Sequence, residues 1–297
     1  MKSLRGILPA VVTPFDADGR FAPGALARLL ERVYGAGVHG VYVCGTTGEG
    51  LLQPSAQRKA VVEAAVRGTP AGGQVVVHVG AASPAEAIDL ARHAARAGAH
   101  AVSSVPPLGG DFGFAETRAY YRALASASDL PLVVYYFPEL FPALQRTDEL
   151  REVCALPNVI GLKFTDSDLF KMSSVCRPEQ TIFNGHDEVL VAGLLMGADG
   201  GIGSFYNLVP ELFVKLFGLA EAGRWDDARA VQREINELIA LVARFPHLPA
   251  VKQILAWSGL DCGACLPPRT PLSESERQEL RQALVQSAFG ERLAGRA

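Results

Sequence analysis

The sequence has no excess of charge of either sign and no long apolar run, and each absence argues against a class of partner. Its 28 lysines and arginines are set against 31 aspartates and glutamates, a formal net charge of −3. A nucleic-acid or anionic-membrane surface would need a basic excess. No run reaches the roughly eighteen consecutive apolar residues that span a bilayer. We therefore expect neither nucleic acid nor membrane as a partner.

Cysteine and metal-ligand patterns are also sparse. The five cysteines form an odd, scattered set, which suits a reducing compartment better than a disulfide framework. The first residues, 1–6, lead into an apolar segment without a signal-peptide pattern, so we predict a cytoplasmic protein. Cys262 and Cys265 form a lone CxxC motif without a second pair, which we interpret as incidental. No histidines or carboxylates have the spacing of a metal site, so no metal is expected.

What the chain does have is a repeated alternation of short apolar runs and longer stretches of helical period. This pattern is typical of βα units that form a parallel sheet. Eight runs read as strands, at residues 7–13, 40–44, 74–79, 101–105, 132–136, 159–163, 181–184 and 200–204. Eight units predict an α/β fold of the closed (β/α)8 TIM-barrel type. The alternative, a doubly wound open sheet, lacks a dinucleotide-binding fingerprint.

Helices are predicted between these strands and after the last of them. The eight barrel helices are expected at residues 23–36, 54–67, 83–97, 114–127, 147–155, 168–175, 188–196 and 209–222. Three further helical segments follow, at 225–245, 250–257 and 274–289. We therefore predict a barrel at residues 1–223 and a C-terminal helical extension packed on it at 224–297.

One lysine interrupts the pattern of a buried strand. The apolar residues 159–162 run directly into Lys163, in a chain with six lysines against twenty-two arginines. Burial disfavours the ammonium form, and a neutral amine is a nucleophile, whereas a guanidinium stays protonated. The alternative interpretation is a lysine whose chain extends to solvent from the strand end.

Further candidates lie at the strand ends, where the catalytic groups of such barrels are found. Thr46 and Thr47, between two glycines, could hold a carboxylate, although such a loop can be a simple turn. Tyr135 could move a proton, or be a core aromatic. Asp187 and Glu188 could bind hydroxyl groups, or be acids of a first helical turn.

Together, an amine, a phenol and an anion-binding loop predict a site for a 2-keto acid. Attack of the amine of Lys163 on the ketone would give an imine, an electron sink that assists making or breaking the neighbouring carbon–carbon bond. His186, the only histidine among these strand-end candidates, is interpreted as a loop residue rather than a metal ligand.

The whole chain resembles the Schiff-base-forming aldolase family that holds N-acetylneuraminate lyase and dihydrodipicolinate synthase. The likeness rests on Gly45-Thr46-Thr47-Gly48-Glu49, on the tyrosine three residues before Pro138 and on Gly161-Leu162-Lys163. Residues 161–169, 184–188 and 197–207 look like the N-acetylneuraminate lyase branch. The synthases carry an arginine shortly after the proline of the tyrosine motif, and residues 138–142, Pro-Glu-Leu-Phe-Pro, have none.

The resemblance implies a role for each matching residue. Lys163 would form the imine with pyruvate, Tyr135 would give and accept the proton, and Thr46 and Thr47 would hold the pyruvate carboxylate. The hydroxylated tail would be bound by Thr165, Gly185, Asp187, Glu188 and Ser204. The implied activity is cleavage of a 2-keto sugar acid, first of all N-acetylneuraminate, to pyruvate and N-acetylmannosamine. No external cofactor is needed, and a homotetramer is expected.

Two departures from the family pattern bear on specificity. After the fourth strand, residues 106–111 read Pro-Pro-Leu-Gly-Gly-Asp, so Leu108-Gly109-Gly110 replaces the usual aromatics of the proton relay and subunit interface. Residues 136–141 are bulkier than in typical lyases. Two alternatives therefore stay open: an aldolase or hydratase for another 2-keto acid, of the 2-keto-3-deoxygluconate or 4-hydroxy-2-oxoglutarate type, and a non-catalytic barrel that binds keto acids.

Overall fold

A computed structural model describes residues 4–109 and 112–294. In these residues eight parallel strands form one sheet, in the order β1-β8-β7-β6-β5-β4-β3-β2. A bridge between Ala10 and Tyr42 joins the two ends of the sheet. The TIM-barrel prediction is confirmed. The strands are β1 (Gly6–Pro9), β2 (Gly40–Val43), β3 (Gln74–His78), β4 (Ala101–Ser104), β5 (Leu132–Tyr136), β6 (Val159–Phe164), β7 (Thr181–Asn184) and β8 (Gly200–Gly203).

Each predicted helical segment contains a helix in the structure. The barrel helices are α1 (Pro23–Gly35), α2 (Ser55–Gly68), α3 (Pro84–Ala97), α4 (Phe114–Ala125), α5 (Thr147–Cys154), α6 (Leu169–Val175), α7 (Leu190–Leu195) and α8 (Pro210–Glu221). The C-terminal helices are α9 (Trp225–Val242), α10 (His247–Trp257), α11 (Glu274–Val285) and α12 (Gly290–Leu293). Short 3-10 turns occupy Gly50–Leu52, Asp187–Val189 and Phe205–Asn207.

Several predicted bounds were wrong by three residues or more: the ends of β1, of α9 at Val242 and of the segment 274–289, and the start of α10. After Pro9 only Ala10 and Val11 still bond to strands, and the later amides bond elsewhere: Val12 N–H donates to the Asn207 side chain at 3.2 Å, and Phe15 N–H to the Cys262 carbonyl at 3.0 Å. Helix α10 starts three residues early, since Pro249 falls in its first turn, where no amide donor is needed. The segment 274–289 ends as a helix at Val285 and resumes only at α12.

The core has two layers, which explains why Lys163 faces inward. One layer lies between the sheet and the helices and includes Leu162 and Phe164 of β6. The other fills the barrel and includes Tyr42 and Tyr135. Because side chains alternate along a strand, Lys163 points into the barrel between two outward neighbours. The register of β5 and β6 places Tyr135 opposite Lys163.

The C-terminal helices contact the loops at the mouth of the barrel. Gln232 of α9 donates to the Asp187 carbonyl at 3.0 Å and accepts from Val191 N–H at 2.9 Å. The division at residues 223 and 224 stays a prediction, and both predicted units include end residues outside the described range.

Among the described residues no single helix is long and apolar enough to cross a membrane, although α9 and α10, bent by 109°, pass that test as a pair.

A buried ion pair joins α10 to the loop after β2. Lys252 Nζ lies 2.8 Å from Glu49 Oε1, and both side chains are almost fully excluded from solvent. The pair has further partners: the lysine donates to the Ala264 carbonyl at 3.0 Å, and Glu49 Oε2 accepts from Leu266 N–H at 2.7 Å. These bonds compensate for the loss of hydration of the two charges. The pair therefore fixes the C-terminal segment against the Thr46–Thr47 side of the barrel.

Replacing Lys252 with methionine should destabilise the protein strongly, because the buried Glu49 would lose its close partner at 2.8 Å and keep only Arg269, 3.9 Å away. We expect a loss of about 3–5 kcal/mol in the free energy of unfolding, measured by urea denaturation. The double variant Glu49→Gln/Lys252→Met should recover part of that loss. The matched control is Lys59→Met, which removes a more exposed pair with Asp89 and should cost no more than about 1 kcal/mol. Equal losses at both lysines would contradict a structural role for the buried pair.

Candidate active site

One cavity of about 750 Å³ opens at the carboxyl ends of the strands. It brings together every site residue that the sequence predicted, from the ends of five strands, β2, β5, β6, β7 and β8, and the connections that follow them. They are Thr46, Thr47, Tyr135, Lys163, Thr165, Gly185, Asp187, Glu188 and Ser204. The cavity is large enough to enclose a small organic ligand.

Lys163 stands at the inner end of this cavity. Its side chain is only 5 % exposed, so the alternative of a lysine extending to solvent does not apply. Its Nζ lies 3.7 Å from the centre of the Tyr135 ring and 5.1 Å from that of Tyr42. Within the described chain no carboxylate forms an ion pair with this amine. The amine therefore lies inside the cavity beside Tyr135, without a carboxylate partner, where a ligand can reach it.

Tyr135 differs from its neighbour Tyr136 in what its hydroxyl contacts. The Tyr136 hydroxyl accepts from Lys171 Nζ at 3.1 Å, on the outer side of the sheet. The Tyr135 ring stacks on Phe137, with centroids 6.1 Å apart, and meets His78 edge-on at 6.1 Å. No described residue hydrogen-bonds its hydroxyl, so it is not tied to a carbonyl. The phenol group is therefore available to a ligand beside Lys163.

The loop after β2 is held in an uncommon backbone conformation. Cys44 and Glu49, on either side of it, have left-handed φ values of 59° and 53°. The Gly48 carbonyl accepts from Thr13 Oγ1 and from Gln53 Nε2, each at 2.7 Å. The amides of residues 46 and 47 donate to no described group, and both threonines line the cavity. Free amides and hydroxyls on a fixed turn can bind a carboxylate.

Asp187, in the turn after β7, contributes a buried carboxyl group to the lining of the cavity. Its Oδ2 accepts from Phe205 N–H at 2.8 Å and from Ser204 Oγ at 3.4 Å. Its Oδ1 has no partner in the described residues. Burial raises the pKa of Asp187 to about 7. A Cβ on Gly203 would overlap this carboxylate, so only glycine fits there. Near neutral pH, Oδ1 can accept a hydrogen bond when ionised or donate one when protonated.

Thr165, after β6, and Gly185, after β7, contact each other in the lining of the cavity. Thr165 Oγ1 is buried without a hydrogen-bond partner among the described residues, and it lines the cavity. A Cβ on Gly185 would overlap that hydroxyl, which accounts for a glycine at this position. An unsatisfied hydroxyl is costly unless a ligand or water bonds to it.

Glu188 forms an ion pair with His186, two residues earlier in the chain. His186 Nδ1 lies 3.3 Å from Glu188 Oε1. This hydrogen bond raises the pKa of His186 and lowers the pKa of Glu188. Over residues 4–109 and 112–294 no group of three or more potential ligands is arranged to hold a metal ion. The side chain of His186 is thus the ion-pair partner of Glu188, which lines the cavity.

The bulky residues predicted after β5 do contribute to the cavity. Phe137 and Leu140 line one wall, and Phe141 packs edge-on against Phe137. From the altered loop after β4, Leu108 packs against the barrel interior. Gly110 and Asp111 lie outside the described residues.

Several cavity and near-cavity residues were not predicted from the sequence. His78 ends β3 with Nδ1 3.2 Å from the Cys44 carbonyl, and burial holds its pKa well below the usual value. The strand-end rule could have found it. His247 and Arg269 line the outer wall but come from the C-terminal segment. No sequence signal pointed to them, because their place depends on how that segment packs.

Comparison with known proteins agrees with this geometry. Residues 3–287 match the model of the family described as "Dihydrodipicolinate synthetase family". The chain belongs to the dihydrodipicolinate synthetase family. The match covers the barrel and most of the C-terminal helices, so the family's architecture includes both. Its members among the relatives below are carbon–carbon lyases, as the sequence predicted for this chain.

Several relatives within the dihydrodipicolinate synthetase family are named N-acetylneuraminate lyase or sialic acid aldolase. The chain is 36 % identical over 284 residues to an N-acetylneuraminate lyase of Rhizobium meliloti, covering 95 % of each protein. It superposes on the sialic acid aldolase of Ruminococcus gnavus with a TM-score of 0.89 at 29 % identity, covering 94 % of this chain and 95 % of that one. A catalytic lysine mutant of the same aldolase gives a TM-score of 0.90 at 29 % identity, covering 95 % and 96 %.

Proposed function

We propose that this protein is a Schiff-base aldolase that cleaves N-acetylneuraminate to pyruvate and N-acetylmannosamine. The observation that carries the proposal is the buried amine of Lys163 beside Tyr135, whose hydroxyl has no partner among the described residues. The R. gnavus relative, a sialic acid aldolase, also has a catalytic lysine. Family membership and the full-length match to N-acetylneuraminate lyases support the same reaction.

In the proposed reaction Lys163 Nζ attacks the C2 ketone of the open-chain sugar acid and forms a carbinolamine. Loss of water gives a protonated imine, which draws electrons from the adjacent carbon. The C4 hydroxyl then loses its proton, the C3–C4 bond breaks, and an aldehyde leaves as N-acetylmannosamine. The electron pair of that bond forms an enamine, which is protonated at C3. Hydrolysis of the resulting imine releases pyruvate and the free amine.

Tyr135 is proposed to take the proton of the C4 hydroxyl and to return a proton to the enamine carbon. A phenol within reach of both atoms can act as base and acid in turn. Thr46 and Thr47 would hold the carboxylate next to the imine carbon through their free amides and hydroxyls. The electron sink is the lysine imine itself, so the proposed mechanism uses no external cofactor.

The remaining cavity residues are proposed to bind the hydroxylated tail. Thr165 Oγ1 and Asp187 Oδ1 are buried without partners in the described chain and would be satisfied by substrate hydroxyls. Glu188, half exposed at the mouth, and Ser204 would contact atoms farther along the tail, where Gly185 leaves room for it.

A second substrate class is favoured by one observation. Phe137 and Leu140 place bulky apolar side chains in the lining of the cavity, and this favours a shorter 2-keto acid of the 2-keto-3-deoxygluconate or 4-hydroxy-2-oxoglutarate type. A dihydrodipicolinate synthase role is weaker, since the segment after Pro138 carries no arginine for a second carboxylate.

The setting of the enzyme is also proposed from the family resemblance and composition. We propose a cytoplasmic homotetramer that acts on a small 2-keto acid, with residues 1–223 as the barrel and 224–297 as the extension. Its mass in solution, measured by light scattering, would be about four times that of the 31.6 kDa chain.

The proposed substrate is tested by following pyruvate release from a panel of 2-keto acids. We expect kcat/KM for N-acetylneuraminate to exceed that for the two shorter acids at least about tenfold, because only the nine-carbon acid reaches the tail-binding wall. Preference for a shorter acid would transfer the assignment to the second class. Pyruvate imine formation without turnover of any acid would indicate a non-catalytic keto-acid-binding barrel.

A further inference from the structure

His247, the first residue of α10, is connected to the tail-binding wall of the cavity. Its Nε2 lies 2.9 Å from Ser204 Oγ, and its ring packs on Phe205 with centroids 5.3 Å apart. Ser204 in turn contacts Asp187 Oδ2, and Phe205 N–H donates to the same oxygen. The turn after β8 therefore holds both the imidazole of the extension and the carboxyl of the barrel.

The hydrogen bonds of Ser204 bear on which ring nitrogen of His247 carries the hydrogen. The single hydroxyl proton of Ser204 is directed to Asp187 Oδ2, which already accepts from the Phe205 amide. A proton on Asp187 would therefore reside on the unpartnered Oδ1. With that proton on the Asp187 side, Ser204 Oγ accepts from His247 at 2.9 Å, so Nε2 carries the hydrogen and Nδ1 is an acceptor. No described residue donates to Nδ1, and the ring faces the cavity.

The surroundings of this imidazole favour its neutral form, chiefly through desolvation by protein atoms. Burial among protein atoms, reinforced by Arg269, lowers the pKa of His247, while Glu188 acts in the opposite direction more weakly. Arg269 itself lines the cavity, and its nearest carboxylate, Glu49, is 3.9 Å away and already paired with Lys252. A neutral ring with a free acceptor nitrogen suits a hydroxyl or N–H donor on the ligand, rather than a carboxylate.

We propose that His247 is a specificity-determining residue, whose Nδ1 accepts a hydrogen bond from a hydroxyl near the far end of the substrate tail. The C-terminal extension would thereby select long polyhydroxylated 2-keto acids over short ones. This inference rests on the proposed function, because it assigns the outer contact of that same site. Lys163 lines the same cavity as the hydrogen-bonded residues Asp187, Ser204 and His247, and His247 belongs to the extension at its mouth, so we expect only a long substrate to reach the imidazole.

Two substitutions separate a ligand contact from a structural role. His247→Asn keeps a polar atom near the Nδ1 position but loses the bond to Ser204, whereas His247→Gln keeps one near Nε2 but loses the cavity-facing acceptor. We measure kcat/KM for N-acetylneuraminate and for 2-keto-3-deoxygluconate, together with borohydride trapping of the pyruvate imine. The matched control is His93→Ala, a partly buried histidine of α3 that is paired with Glu63 and does not line the cavity.

We expect His247→Gln to lower kcat/KM for the nine-carbon acid about tenfold, mainly through KM, and to leave the six-carbon acid and imine trapping unchanged. His247→Asn should retain most of the preference, and His93→Ala all of it. The opposite order, with glutamine rescuing and asparagine failing, would show that His247 only supports Ser204 and would overturn the inference. An unchanged preference in both variants would also overturn it, while the proposed function stands. A wild-type protein that does not cleave N-acetylneuraminate overturns the proposed function and this inference with it.

Discussion

Lys163→Arg should reduce cleavage of N-acetylneuraminate by at least about a thousandfold and abolish the borohydride-trapped adduct with pyruvate. A guanidinium remains protonated and cannot add to a ketone, so no imine forms. The measurement pairs pyruvate release with intact mass after incubation with pyruvate and borohydride. The unmodified protein should gain the mass of one reduced pyruvate imine per chain.

The control for this experiment is Lys215→Arg, a change at an exposed position of α8. It should form the adduct and turn over substrate as the unmodified protein does. Circular dichroism should report folded protein for both variants, because arginine at position 163 still has the cavity available for its longer side chain. An adduct that persists in Lys163→Arg would place the reactive amine elsewhere and refute the mechanism.

Tyr135→Phe should lower kcat by about a hundredfold to ten-thousandfold while the pyruvate imine still forms. Removing the hydroxyl eliminates the proposed proton carrier but leaves Lys163 and the carboxylate loop in place. The ring contact with the Lys163 amine, 3.7 Å from Nζ to the centroid, is kept by phenylalanine. The measurements are steady-state kinetics and the same trapping assay, so that binding, imine formation and cleavage are distinguished.

Tyr136→Phe is the matched control, since it removes the hydroxyl of the adjacent residue on the other face of β5. That hydroxyl contacts Lys171 rather than the cavity. The control should cost some stability and leave kcat nearly unchanged. If the two variants lost kcat equally, the effect would be one of packing, and Tyr135 would have no special part in proton transfer.

Much of the fold could be predicted because its signals are local. Short apolar runs bounded by helical stretches predicted eight parallel strands, and two of the predicted ranges, those of β5 and β7, coincide with the structure. The errors occur where tertiary contacts replace local pattern. The strand-like sequence continues past Val11, but the amides of Val12 and Phe15 bond to Asn207 and Cys262, which are distant in the chain.

The site was predictable to the extent that it follows from barrel geometry. Parallel strands end at one rim, so side chains just beyond Val43, Tyr136 and Phe164 meet there whatever their separation in sequence. The orientation of Lys163 follows from strand alternation, and its pairing with Tyr135 follows from the β5–β6 register. Their chemical roles remain proposals, which the two substitutions above test.

The sequence by itself determined the family, the barrel and the set of residues around one cavity, because periodicity, capping and a compact motif are properties of contiguous residues. Only the tertiary structure decided which groups lack partners: Thr165 Oγ1 and Asp187 Oδ1 are buried without bonds in the described chain, and no described residue hydrogen-bonds the Tyr135 hydroxyl. It alone brought His247 and Lys252 from the extension to the barrel mouth. Such contacts depend on how distant segments pack, and no local pattern encodes them.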